Sequence, residues 1–313
     1  MKCIHCGGKT KYSDRRYSRR CSVCKREFAF EPREGGPLSD LGFKYAIDAV
    51  SDMGRLKWTD AHLYYDVARR VRRRRLIQRL LRRPLVSIGL GEFENMLERW
   101  ISVHGQPPDR LAPRTFADGV RDDDLAREIE DYAFENLVVC DDDGIVDVLL
   151  ANGFHVDNRC AVLSVSGYPD HAFEALMPLL RRHPPARVFA VHDADPEGCK
   201  LAARIADDPR WFAGVEAVEV IDAGLRPADA TPFRGLFLEG SVMSAAAENT
   251  SLEEREWLSK FHLELEAVRP RALLGVLANV VRHGIEARQD GAKDRGPWGT
   301  DGPWAFRDDD DPG

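Results

Sequence analysis

Three sets of residues in this 313-residue chain have the types and spacing to do chemistry. The first is Asp193-Ala194-Asp195, which closes the apolar run Val188-Phe189-Ala190-Val191 and precedes the turn Pro196-Glu197-Gly198. Two carboxylates one residue apart at the end of a strand can be aimed at one hard cation. Carboxylates completed by water are how proteins hold Mg²⁺ or Mn²⁺ beside a phosphodiester. The second set is Cys3-x-x-Cys6 and Cys21-x-x-Cys24, separated by fourteen residues. Four thiolates at this spacing close a tetrahedral structural Zn²⁺ site of the zinc-ribbon kind. A disulfide pair and a redox Cys-x-x-Cys are the alternatives. The third is Tyr64-Tyr65, in a helical pattern: a phenolic oxygen can attack a phosphodiester and leave a covalent phosphotyrosine. Two aromatics on a half-buried helix are also ordinary core.

The elements that must position these residues follow from periodicity. Asn136–Cys140, Ala161–Val165 and Val188–Val191 read as short buried strands, the first and third ending on acids (Asp141-Asp142-Asp143, Asp193-Ala194-Asp195) and the second on Ser166-Gly167-Tyr168-Pro169-Asp170. Between them lie amphipathic helices, one carrying Ile145, Val148 and Leu149, the other Phe173, Leu176, Met177 and Leu180, with a further helix over Cys199–Ala206. Strands alternating with helices predict an α/β fold with a parallel, doubly wound sheet whose ligand site lies at the strand carboxyl ends. Asp142, Asp143 and Asp147 read as solvated acids at a helix start. His192 reads as a packing residue, Cys140, Cys160 and Cys199 as small buried apolar groups, and His5 as a bystander between two thiolates. Upstream, Phe43–Val50 and Trp58–Arg70, the latter capped by Thr59 or Asp60, suit a winged-helix or helix-turn-helix module.

Charge divides the molecule. Residues 1–83 hold 22 Lys/Arg against 9 Asp/Glu, whereas the remainder holds 23 against 43, within an overall net charge of −7. The run after Tyr65 supplies Arg69, Arg70, Arg72, Arg73, Arg74, Arg75 and Arg79 with interleaved apolar residues, the footprint of a phosphate-binding surface. The alternative is a solvated helix pairing with the chain's own acidic half. Between the cysteine pairs, Lys9, Lys11, Arg15, Arg16, Arg19 and Arg20 lie among Tyr12 and Tyr17, which reads as a second DNA contact or a protein dock. The organisation expected is a ribbon over 1–31, a basic helical module over 38–83, a connecting region over 84–130, the α/β domain with a helical extension over 131–285, and a disordered acidic tail over 286–313. No leader and no membrane-spanning run is expected, which places the chain in a reducing cytoplasm.

The acid after the first strand, the turn Gly167-Tyr168-Pro169-Asp170 and Asp193-Ala194-Asp195-Pro196-Glu197-Gly198 together resemble a Toprim domain. More narrowly they resemble the form found in the A subunit of DNA topoisomerase VI and its meiotic double-strand-break relatives. Val218–Asp229 and the Glu264-Leu265-Glu266 stretch are similar to later segments of that family, the last as a helix, and Thr59 followed by Leu63-Tyr64-Tyr65 resembles the motif around its catalytic tyrosine. The resemblance covers about residues 43–285. It implies a Toprim-type sheet domain preceded by a winged-helix-like module, Tyr65 as nucleophile, and Asp141, Asp193 and Asp195 as Mg²⁺ ligands. It also implies a homodimer on double-stranded DNA in which Tyr65 serves the partner's metal site, staggered cuts leaving protein on the 5′ ends, and a separate ATPase chain. Two positions depart from the pattern: Asp141 stands where the family has Glu, and Ala61 where it has Arg. The departures favour a second reading, a hydrolytic Toprim nuclease of the kind that serves plasmid and phage defence. A third reading is a DNA-binding module without catalysis. A primase, which also joins a zinc ribbon to a Toprim domain, fits the tyrosine module poorly.

Overall fold

The computed structural model describes residues 1–74, 84–112, 135–182, 184–215, 218–240 and 250–284. The acidic tail, Arg75, Arg79 and most of the second half of the connecting region therefore lie outside the described residues. Near the N-terminus, antiparallel bridges between Lys2 and Lys9 and between Arg20 and Glu27 fold each cysteine pair into a knuckle, and one helical turn, α1 (Tyr12–Arg15), lies between them. Three longer helices follow: α2 (Asp40–Val50), α3 (Asp60–Arg74) and α4 (Leu90–His104). Ser39 caps α2 by accepting from the Gly42 N–H at 3.2 Å. Helix α4 falls within the stretch read as connecting. Its buried Phe93, Met96, Leu97 and Trp100 recur every three or four residues, and Trp100 stacks on Phe43 with ring centroids 4.9 Å apart.

The ribbon is fixed to these helices. Asp40, fully buried, accepts from the Ala29 and Phe30 N–H groups and pairs with His104 Nε2 at 2.7 Å. His104 in turn meets His5, 3.2 Å between ring nitrogens, and Arg99 reaches Glu27 at 2.5 Å. His5 stays outside the cysteine group and serves instead as a docking contact.

The α/β part runs β1 (Asn136–Cys140), α5 (Asp143–Ala151), α6 (Phe154–Asn158), β2 (Cys160–Ser164), α7 (Asp170–Arg182), β3 (Arg187–Val191), α8 (Leu201–Asp207) and β4 (Glu219–Asp222). The four strands form one parallel sheet in the order β2-β1-β3-β4, with Cys140 level with Ser164 on one side and Val191 on the other. A two-stranded antiparallel ladder, β5 (Leu238–Glu239) with β6 (Phe261–His262), brackets α9 (Leu252–Leu258), and α10 (Pro270–His283) closes the described fold. Alternate strand residues face opposite ways. Leu137, Val139, Leu163, Val188 and Ala190 pack on α7 and α8. Val138, Cys140, Val162, Phe189 and Val191 face the other way, into a core shared with α5, α10 and helices α2 to α4. The sheet, not a sequence boundary, divides the two cores. Among the described residues, no helix is long and apolar enough to cross a membrane.

Helix α3 is clamped to the chain entering α10. Asp66, with no exposed surface, pairs with Arg70 at 2.8 Å and Arg269 at 2.6 Å, and Arg69 lies 3.7 Å away. Arg69 also donates to the Ala267 carbonyl, and Arg70 to that of Tyr45 at 3.0 Å. The Asp66 carboxyl is held below its ordinary value: burial opposes ionisation, but the charges of Arg269, Arg70 and Arg69 outweigh it. Its stabilisation is therefore present above the unfolded-state pKa of about 4 and is lost as pH falls through the lower folded value. Asp66→Asn, which leaves the arginines without their counter-charge, should lower unfolding free energy at neutral pH by about 3–5 kcal/mol. In urea melts the gap from wild type should narrow below about pH 4; a gap that is small or independent of pH would refute the clamp.

Candidate active site

In a parallel sheet, strand order reverses between two neighbours whose connections leave in opposite directions, and the crevice there is the natural ligand site. Here the reversal lies between β1, which leads outward to β2, and β3, which leads to β4. Asp141 follows β1 and Asp193 follows β3 by two residues, so both reach this crevice. They are joined directly: the Asp193 N–H donates to Asp141 Oδ2 at 2.8 Å, and the Asp141 N–H donates to the Val191 carbonyl at 3.0 Å. The other Asp141 oxygen, Oδ1, is buried without a hydrogen-bond partner. Asp195 turns to cap the following turn, accepting from the Gly198 N–H at 2.5 Å. Asp142 caps α5 through the Gly144 and Ile145 N–H groups, while Asp143 and Asp147 accept from Ser166 and Tyr168.

The segment 263–269 completes the cluster. Leu263 and Ala194 exchange backbone hydrogen bonds of 3.2 and 2.9 Å, and the Leu265 N–H donates to Asp193 Oδ1 at 2.7 Å. Expected as a helix, Glu264-Leu265-Glu266 instead enters a single 3₁₀ turn, Leu265–Ala267. The Leu265 N–H is used by Asp193, and Pro270 forces the residue before it into extended geometry, so a longer helix cannot form. Glu266 is buried and Glu264 half-buried beside the aspartates. The Tyr65 hydroxyl donates to Glu264 Oε2 at 2.9 Å, and the Tyr65 side chain has no exposed surface. Tyr64 packs edge-on against Tyr65 at 5.1 Å and donates to the Ile88 carbonyl at 2.9 Å. The resemblance pairs Tyr65 with a partner's metal site; in the single chain it meets carboxylates of its own.

These groups strain one another electrostatically. Burial, aided by Asp195 and Asp142, pushes the Asp141 carboxyl up to about 6. Burial and then the Asp141 and Glu266 charges push Asp193 well above the carboxylate range, and burial with Asp142 and Glu264 pushes Glu266 up to about 8. The Tyr65 phenol is raised too, by burial and then by Glu264, and keeps its proton at neutral pH. His192, fully buried, has Nδ1 2.7 Å from the Asp193 carbonyl and Nε2 2.9 Å from Asp222 Oδ1. Both neighbours can only accept, so both ring nitrogens donate. Burial opposes that positive charge, but Asp222 outweighs it and raises the pKa. His192 thus sits beneath the aspartates with Asp222 favouring its charged form. The set offers an orphaned carboxylate oxygen, Asp141 Oδ1, among acids whose charged forms burial disfavours. The acids are loosely spaced: among the described residues, the four cysteines form the group of ligand atoms lying within 4.8 Å of one another, and no carboxylate trio does.

The four thiols Cys3, Cys6, Cys21 and Cys24 could hold a metal ion such as Zn²⁺. Cys140, Cys160 and Cys199 are buried among apolar neighbours and take no part. Of the arginines expected to face DNA, Arg69 and Arg70 are turned inward by Asp66, with side chains 15% and 12% exposed. Arg72 lies against Gly235, and Arg73 and Arg74 occupy the last turn of α3. Glu264 and Glu266 are the site residues that strand-end reasoning missed, since they arrive from a turn some 70 residues downstream of Asp193. The signal available was the Glu-Leu-Glu spacing itself.

Mg²⁺ or Mn²⁺ should raise the melting temperature by about 2 °C or more at saturation by relieving the repulsion, and Asp193→Asn should abolish the rise; an undiminished rise in that variant would place the cation elsewhere. Native mass spectrometry should find one Zn²⁺ per chain, lost in Cys21→Ser while the Mg²⁺ response persists. Comparison of the chain with protein-family models, with characterised proteins and with solved structures gives no match.

Proposed function

We propose that this chain is a metal-dependent DNA-cleaving protein of the topoisomerase VI A-subunit kind, with a Toprim-type sheet domain and a winged-helix-like module, and with Tyr65 as its nucleophile. The observation that carries the reading is the meeting of the Tyr65 hydroxyl with a carboxylate cluster at the sheet's switch point. In the reaction, the Tyr65 oxygen bonds to phosphorus and the bond from phosphorus to the 3′ oxygen breaks, leaving a 5′-phosphotyrosine and a 3′ hydroxyl. Glu264 already accepts the phenol's hydrogen bond and takes its proton. The leaving 3′ oxygen needs a proton, and Glu266, pushed up to about 8, holds one at neutral pH. Bound Mg²⁺ would offset charge on the scissile phosphate, with Asp141, Asp193 and Asp195 as its holders. A second copy of the chain and a separate ATPase are the partners this reading carries.

A second reading, hydrolysis by the carboxylates with water as nucleophile, is favoured by a specific observation: Tyr65 is fully buried, so DNA reaches its oxygen only if α3 parts from the 263–269 segment. One experiment separates the two. Supercoiled plasmid is incubated with protein and Mg²⁺, stopped with detergent, and run with and without protease. Transesterification predicts linear DNA that enters the gel only after protease and vanishes in both Tyr65→Phe and Asp193→Asn. Free linear or nicked product that survives Tyr65→Phe but not Asp193→Asn rejects Tyr65 as nucleophile and leaves the hydrolytic nuclease.

A further inference from the structure

The ribbon's surface has a property that a purely structural zinc module lacks. Residues 1–26 carry nine Lys/Arg against a single acid, Asp14, and eight of those nine cations are exposed. Arg15 is the exception, buried on Glu31. The two tyrosines between the cysteine pairs are sorted by the fold. Tyr12 is half-buried, covered by Arg15 and Arg33 at 5.5 and 5.4 Å from its ring centre, with its hydroxyl on Glu34 at 3.4 Å. Tyr17 is 88% exposed, the most exposed large hydrophobic side chain among the described residues. Arg16 lies over its ring at 5.4 Å, and Arg19, ion-paired with Glu34 at 3.0 Å, and Arg20, both exposed, follow within three residues.

We propose that the ribbon carries a binding surface for single-stranded DNA, in which Tyr17 stacks on an unpaired base while Arg16, Arg19 and Arg20 hold the flanking phosphates. Cations alone would attract any phosphate backbone, duplex included. The exposed ring makes the difference, because an aromatic face stacks on a base that has left its pair, whereas duplex DNA offers only base edges and phosphates. An acidic protein partner would match the charge but gives the ring no role. The docking of the ribbon through His5, His104 and Asp40 makes this a fixed surface of the whole chain rather than a tethered arm. The inference stands independently of the chemistry assigned to the carboxylate cluster.

The test measures fluorescence anisotropy of a labelled oligothymidylate and of a duplex of the same length, with full-length zinc-loaded protein and no added Mg²⁺. Tyr17→Ala should weaken single-strand binding about tenfold or more and leave duplex binding within about twofold, as loss of one base–aromatic stack requires. Tyr17→Phe, which keeps the stacking face, should bind as wild type does. Arg20→Ala should weaken both ligands and reduce the salt dependence of each. No cleavage enters this readout, so failure of the cleavage reading leaves the result untouched. Zinc content and melting temperature of each variant confirm that the ribbon is folded. Tyr17→Ala binding the single strand as wild type does, or losing single strand and duplex equally, would overturn the proposal. So would wild type that binds neither ligand, which would point to a protein partner for the ribbon.

Discussion

The hydrogen bond from the Asp193 N–H to Asp141, across the point where strand order reverses, is the constraint around which the rest is arranged. It forces two acids into one crevice where neither ionises at its ordinary pH. The structure answers with charges in alternation beneath them. His192 lies under Asp193 and pairs with Asp222, Asp222 pairs with Arg226 at 2.9 Å, and Arg226 pairs with Glu254 at 3.0 Å. Below the crevice, Asp222 and Glu254 are thus paired with His192 and Arg226. Two glycines let the chain pass this stack. A Cβ on Gly224 would sit 2.3 Å from the His192 ring, and one on Gly198 would sit 2.4 Å from the Asp193 carbonyl oxygen.

On the other side of the crevice, one segment does three jobs within seven residues. Leu263 pairs with Ala194, the Leu265 N–H holds Asp193, and Arg269 reaches Asp66. Helix α3 is therefore coupled to the aspartates through a chain of direct bonds, which is why Tyr65 arrives at Glu264 rather than facing solvent. The same coupling keeps the tyrosine buried. Exposing it means breaking the Tyr65–Glu264 bond while the Asp66 clamp, on the next residue, still holds the helix.

The sequence made the α/β sheet legible because its strands are short, apolar and end on acids, so periodicity and chemistry coincide at Asn136–Cys140 and Arg187–Val191. The cysteine cluster was legible because ligand spacing is nearly context-free. Glu264 and Glu266 were visible as a motif but not as neighbours of Tyr65, because a 3₁₀ turn at that point depends on tertiary bonds to Asp193. Helix α4 had the signal in Phe93, Leu97 and Trp100, and flanking prolines and glycines obscured it. The inward turn of Arg69 and Arg70 was hidden by a single acid: Asp66 reads as one more surface charge before a basic run, and only its burial reverses the meaning of the arginines beside it.

That reversal changes how the charge division should be read. The excess of cations in the first 83 residues suggests a single basic face. In the fold, Arg15 pairs with Glu31, Arg19 with Glu34, and Arg69 and Arg70 with Asp66. Buried or paired charges contribute little to the potential a polyanion meets from outside. The exposed positive surface among the described residues is therefore weighted toward the ribbon, where eight cations face solvent, while the acids of the crevice are buried or half-buried and burial pushes Asp141, Asp193 and Glu266 toward their neutral forms.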